Sequence, residues 1–136
     1  MQALITQIAS QMGIDEALAQ KAVSIVLSLV QSQGDDGLVA QLFDKMPGAS
    51  ELASAGTSAL GNSSSAGSGL MGMVGGLLGG NAGDIMSAIS QLQSDGLETG
   101  QIKQVGSQVL DYAKQQGGED LVAQITDSIP GLSKFL

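Results

Sequence analysis

Two pairs of carboxylates are the residues whose type and spacing come nearest to chemistry in this chain. Asp35-Asp36 follows Gly34, and Glu119-Asp120 follows Gly117-Gly118. Paired acids in a turn could hold Ca²⁺, but the alternating ligands and closing Glu of an EF-hand loop are missing. The same acids suit the first turn of a helix, where the dipole favours negative charge, and we adopt that assignment. Three polar pairs recur at matching places near the two ends: Gln41/Gln124, Asp44/Asp127 and Ser50/Ser133. Such twins could mark a doubled site; beside Pro47 and Pro130 they fit better as groups that satisfy backbone at helix ends. Tyr112, the one tyrosine, has no visible catalytic partner and sits at helical spacing among core residues. Gly67-Ser68-Gly69-Leu70-Met71-Gly72 matches the dinucleotide pattern, but Asn62-Ser63-Ser64-Ser65-Ala66 before it is no strand.

The missing residue types narrow the function further. The 136 residues include no His, Cys or Trp. The five basic residues are all lysines: Lys21, Lys45, Lys103, Lys114 and Lys134. Common zinc, haem and iron–sulfur ligation is therefore not available, nor are Ser–His and Cys–His nucleophile pairs. The bidentate arginine clamp for phosphate is missing too. No catalytic, cofactor-binding or metal-binding residue is assigned, and the chain is read as non-enzymatic. An enzyme working through carboxylates, Ser, Lys or Tyr would need a tuned cluster that the sequence does not display. The net charge of −8 argues against nucleic acid and against anionic membrane surfaces. The N-terminus lacks a basic stretch and an apolar run, so no signal peptide is read in this chain, and no apolar run is long enough to span a bilayer. These features favour the cytoplasm slightly and leave a mature exported form open.

The elements behind these residues are helices. Aromatic residues make up 2% of the chain, so the core must be aliphatic, which suits closely packed helices better than a β-sandwich. Sliding the sequence by 83 positions lays Gly13–Ala53 over Gly96–Leu136 with fourteen identical pairs in 41. The identities include Gly34/Gly117, Val26/Val109, Leu27/Leu110 and Pro47/Pro130. Leu4, Ile5, Ile8 and Met12 predict an opening helix that stops at Gly13. Asp15 is the expected N-cap of a long second helix carrying Leu18, Ala22, Ile25, Val26, Leu29 and Val30, widened by Val23 and Leu27. Gly34 is expected to end that helix in a left-handed conformation. Leu38, Val39, Leu42, Phe43 and Met46 predict a short third helix, ended by Pro47-Gly48. The second copy repeats the plan with Ile85, Met86, Ile89 and Leu92, then Ile102, Val105, Val109, Tyr112 and Ala113, then Leu121, Val122, Ile125 and Ile129. The predicted fold is all-α: two pseudo-repeated three-helix units, residues 1–54 and 84–136, packed about an approximate two-fold axis as one compact domain.

Residues 55–83 between them read as a Gly/Ser-rich linker. Its second part, Leu70 to Gly80, is apolar. If it is helical, Gly72, Gly75, Gly76, Gly79 and Gly80 form a smooth seam, and Val74, Leu77 and Leu78 provide apolar side chains. Glycine costs about 0.8–1 kcal/mol against Ala in a helix, so such a seam needs a closely approaching backbone to persist. The seam is the candidate self-association surface; a short helix or loop tucked against the two repeats and a membrane-inserting segment are the competing readings.

Gly96-Leu97, Val109-Leu110-Asp111-Tyr112 and Lys114-Gln115-Gln116-Gly117-Gly118, with Pro47-Gly48 in the first half, form a pattern that resembles the VcgC/VcgE-type bacterial proteins of unknown function. The resemblance covers most of the chain outside the Ser/Gly stretch. It implies a small helical bacterial protein and supplies no activity, ligand or site.

The function expected from sequence is therefore a helical interaction or assembly protein, self-associating as a homo-oligomer. The alternative is a binding protein for a small apolar ligand or a lipid held between the two repeats, where aliphatic and methionine side chains could adapt to it.

Overall fold

The structure is a computed structural model that describes residues 1–62 and 82–129. Every regular element among them is an α-helix: α1 (Gln2–Met12), α2 (Glu16–Gln33), α3 (Asp36–Lys45), α4 (Ala49–Asn62), α5 (Ala82–Ser94), α6 (Thr99–Gly117) and α7 (Glu119–Ser128). Among the described residues, no helix is long and apolar enough to cross a membrane.

The helices begin and end where the local chemistry dictates. α1 ends at Gly13, whose φ of 65° lies in the left-handed region that suits glycine, and the Ile14 amide then reaches back to the Ala9 carbonyl. Gly96, with φ 105°, turns the chain after α5 in the same way, and the Leu97 amide donates to the Leu92 carbonyl. The Asp35 carboxylate caps α3 by accepting from the Gly37 and Leu38 amides at 3.0 and 3.2 Å. At the start of α6, Gln101 Oε1 accepts from the Glu98 amide at 2.9 Å, one arm of a capping box.

α2 is the hub. It packs against α1, α3, α4, α5 and α6, and its longest interface is with α4. Eight of its residues are buried, pointing almost all the way round the helix: Ala19, Ala22, Val23, Ser24, Ile25, Leu27, Ser28 and Val30. Leu4, Ile5 and Ile8 of α1, Val39 and Leu42 of α3, Ala88 and Leu92 of α5, Val105 and Val109 of α6, and Val122 and Ile125 of α7 complete one core.

Several helical starts and bonds recur 83 residues apart. α6 starts at Thr99 and α7 at Glu119, matching Glu16 and Asp36. The Met46 amide donates to the Phe43 carbonyl, and the Ile129 amide to the Thr126 carbonyl. Contacts between the halves are also reciprocal. A Cβ at Gly34 would stand 3.4 Å from Ile125 Cγ2, and one at Gly117 would stand 2.5 Å from Leu42 Cδ1.

Three expectations are corrected. The linker does not begin at residue 55: α4 runs through Asn62, so residues 1–54 hold the start of a fourth helix and 55–62 continue it. Small residues make this possible. Ala49, Ala53 and Gly56 are buried, and a Cβ at Gly56 would lie 2.1 Å from the Ser24 carbonyl oxygen. The two backbones therefore meet closely, and Ser28 and Thr57 share a hydrogen bond of 2.8 Å across the contact. Gly34 is extended, with φ −79°, not left-handed. It is required instead by space, since a Cβ there would lie 2.7 Å from both the Val30 carbonyl oxygen and Val39 Cγ2. Asp15 is the N-cap residue of α2, as expected, although its side chain makes no capping bond. Its neighbour Glu16 instead accepts from Gln2 and Thr6, tying α1 to the start of α2. Met86 is 65% exposed, because α5 buries the face of Ile85, Ala88 and Leu92.

Candidate ligand cleft between the two halves

α2 from the first half and α5 and α6 from the second do not close completely on one another. Between them lies an apolar cleft of about 80 Å³, lined by Val26, Leu29, Val30 and Gln33 of α2, Ile85 and Ile89 of α5, Ile102, Lys103 and Gly106 of α6, and Ile129. Seven of these ten are branched aliphatic residues. Val26, Leu29, Ile89 and Ile102 are only half-buried, so aliphatic surface remains accessible along the opening.

Gly106 explains the opening. It lies inside α6, where glycine costs about 0.8–1 kcal/mol against Ala. No steric demand offsets that cost: its φ is not positive, and a Cβ there would meet nothing within 4 Å. The residue 83 positions earlier is Val23, which is fully buried in the core. Gly106 thus has no side chain at the place where Val23 carries an isopropyl group, and the aliphatic residues surround that space.

The cleft can shelter hydrocarbon and little else. Among the described residues its lining offers one charged group, Lys103, and one amide, Gln33. An apolar cavity of about 150 Å³ takes up benzene, so a space half that size fits part of a chain or a branched tip. A second, more polar hollow of about 300 Å³ lies where α2, α3 and α4 meet, lined by Gln31, Asp36, Val39, Ala40, Phe43, Asp44 and Ser50. Its two carboxylates have no third acidic residue, and among the described residues no three metal-ligating side chains converge.

The residues singled out from sequence are dispersed. Asp35 and Asp36 start α3, and Glu119 and Asp120 start α7, each at a helix N-terminus. Gln41 and Gln124 each donate to the carbonyl four residues earlier, Gly37 and Asp120. Tyr112 packs against the core, partly buried. The seam residues Gly72, Val74, Gly75, Gly76, Leu77, Leu78, Gly79 and Gly80, and the dinucleotide-like stretch 67–72, lie outside the described residues, as do Pro130, Ser133 and Lys134. The aliphatic residues of the cleft are legible from sequence as core positions. The cleft itself is not, although one signal exists: a mid-helix glycine aligned with a buried valine.

No family model, curated protein or solved structure matches this chain.

Proposed function

We propose that this is a non-enzymatic helical binding protein that holds a small apolar ligand or an alkyl chain between its two halves. The observation that carries the proposal is the cleft beside Gly106, an aliphatic space kept open by a glycine that neither backbone conformation nor packing requires. Ligand sites favour such places, where elements meet incompletely around an apolar lining with few polar groups. The setting is a duplicated three-helix unit about an approximate two-fold axis. The matched helix starts, the turn bonds repeated at Ile14/Leu97 and Met46/Ile129, and the reciprocal Gly34–Ile125 and Gly117–Leu42 approaches support that architecture. Membership of the VcgC/VcgE-like proteins is part of the proposal and rests on the residues of α6 and its flanks together with Pro47-Gly48. Calorimetric titration with dodecanol tests the function: one molecule bound per chain supports it, and no heat above dilution overturns it.

A second reading, self-association through Gly72 to Gly80, gains one observation. Met86 is a large apolar side chain left 65% exposed on α5, the helix that follows that segment in sequence. Absolute mass from light scattering, measured over a range of concentrations, tests it. A dimer or larger species that is lost in Gly76→Leu supports the seam, and a monomer at all concentrations removes it.

A further inference from the structure

We propose that the ligand of the cleft is a single-chain amphiphile with an anionic head, its tail among the aliphatic side chains and its head at Lys103. This rests on the cleft reading above and adds the identity of the head.

Three observations converge. The first is size. About 80 Å³ accommodates one hydrocarbon chain end. Only part of even a single chain is enclosed, so the remainder must emerge at the opening. The second is chemistry at the lining. Lys103 is exposed and is, among the described residues, the one charged residue of the lining. Its four-carbon stem can lie along apolar surface while the ammonium stays in water, the arrangement that suits an amphiphile's boundary between tail and head. The third is that this ammonium is uncommitted. Among the described residues the recorded ion pair is Lys21 with Asp95, at 2.7 Å, and Lys103 forms none. Its neighbours one helical turn away are Thr99, Gly100, Gly106 and Ser107, none of them acidic. In a chain of net charge −8, a cation that forms no ion pair among the described residues, beside an aliphatic opening, is complementary to a carboxylate or sulfate head. The position 83 residues earlier is Gln20, so the charge, like the missing side chain at Gly106, belongs to the second half only.

The test is a calorimetric comparison of dodecanoate with dodecanol, each below its aggregation limit, on the intact chain and on Lys103→Gln and Lys103→Glu. An exposed ion pair supports a preference of about twofold to fivefold for the carboxylate at low salt. That preference should shrink with added salt, vanish in Lys103→Gln and invert in Lys103→Glu, with dodecanol affinity unchanged throughout. Equal affinity for the two probes in the unsubstituted chain, or a preference that survives Lys103→Glu, overturns the head assignment while leaving the cleft in place. Binding of neither probe overturns the cleft and the head together. Circular dichroism melts of both variants should superimpose on the parent, since Lys103 is exposed and touches no core residue's hydrogen bonds.

Discussion

α2 and α6 occupy matching places in the repeated sequence and meet different fates. α2 buries residues almost all round, while α6 buries a single stripe of Val105, Val109 and Ala113. Where α2 has Val23, fully buried, α6 has Gly106 beside open space. Leu27 and Leu110 are the same residue at the same register, yet Leu27 is 1% exposed and Leu110 only partly buried. The difference follows from neighbours. α2 is covered on one side by α4 and on others by α1, α5 and α6, so its positions were all available for core. α6 also packs against α1, α2, α3, α5 and α7, but buries only one face, and Gly106 lies beside open space. Of these two helices, 83 residues apart in register, one is enclosed by core and the other borders the cleft.

The comparison can be broken most forcefully at its matched leucines. Leu27→Ala should cost about 2–5 kcal/mol in chemical denaturation, the range for a fully buried leucine. Leu110→Ala should cost less than half as much. Equal losses would show that the two helices are equally embedded.

The next largest effect concerns α4. Gly56→Ala places a methyl group where a Cβ would lie 2.1 Å from the Ser24 carbonyl oxygen. Overpacking of this kind costs about 1–3 kcal/mol even after the gain in helix propensity. A neutral or stabilising result would mean that α2 and α4 do not pack backbone to backbone.

Gly106→Ala should act with the opposite sign. The added methyl group meets no neighbour, so the helix gains about 0.5–1 kcal/mol and the melting temperature rises. The same change at two glycines, one packed and one open, thus separates close approach from a deliberate gap. A destabilised Gly106→Ala would show that the space is already filled.

The smallest effect belongs to the ion pair between Lys21 on α2 and Asp95 in the turn after α5. Both side chains are partly exposed, at 36% and 21%, so Lys21→Met should cost no more than about 1 kcal/mol and less at high salt. A larger loss would give the contact between the halves an electrostatic component that their aliphatic interface does not require.

The sequence carries much of this fold because helical periodicity and glycine stops are local signals. Leu4, Ile5 and Ile8 predict the buried face of α1, and the 83-residue offset anticipates where α6 and α7 begin. What local pattern hides is close approach. Ala55, Gly56 and Thr57 have the composition of a linker, and only burial against Ser24 and Ser28 selects the helix. Gly34 resembles a left-handed cap in sequence, while its real constraint is the proximity of Val39 and Ile125. Met86 fits an amphipathic stripe by spacing, and the position of α5 on α2 turns it outward. The cleft is the least legible feature, because it depends on what is absent at Gly106 and on three helices meeting around that absence.

The central claim is that this absence makes a binding site, and the most direct measurement restores the missing side chain. Dodecanol titrated by calorimetry into the unsubstituted chain and into Gly106→Val compares the two, the variant carrying the residue that stands at the matching place in the first half. The account predicts one site per chain in the former and none in the latter, with the melting temperature of the variant equal or higher. Undiminished binding in Gly106→Val would contradict it and place the ligand, if any, elsewhere.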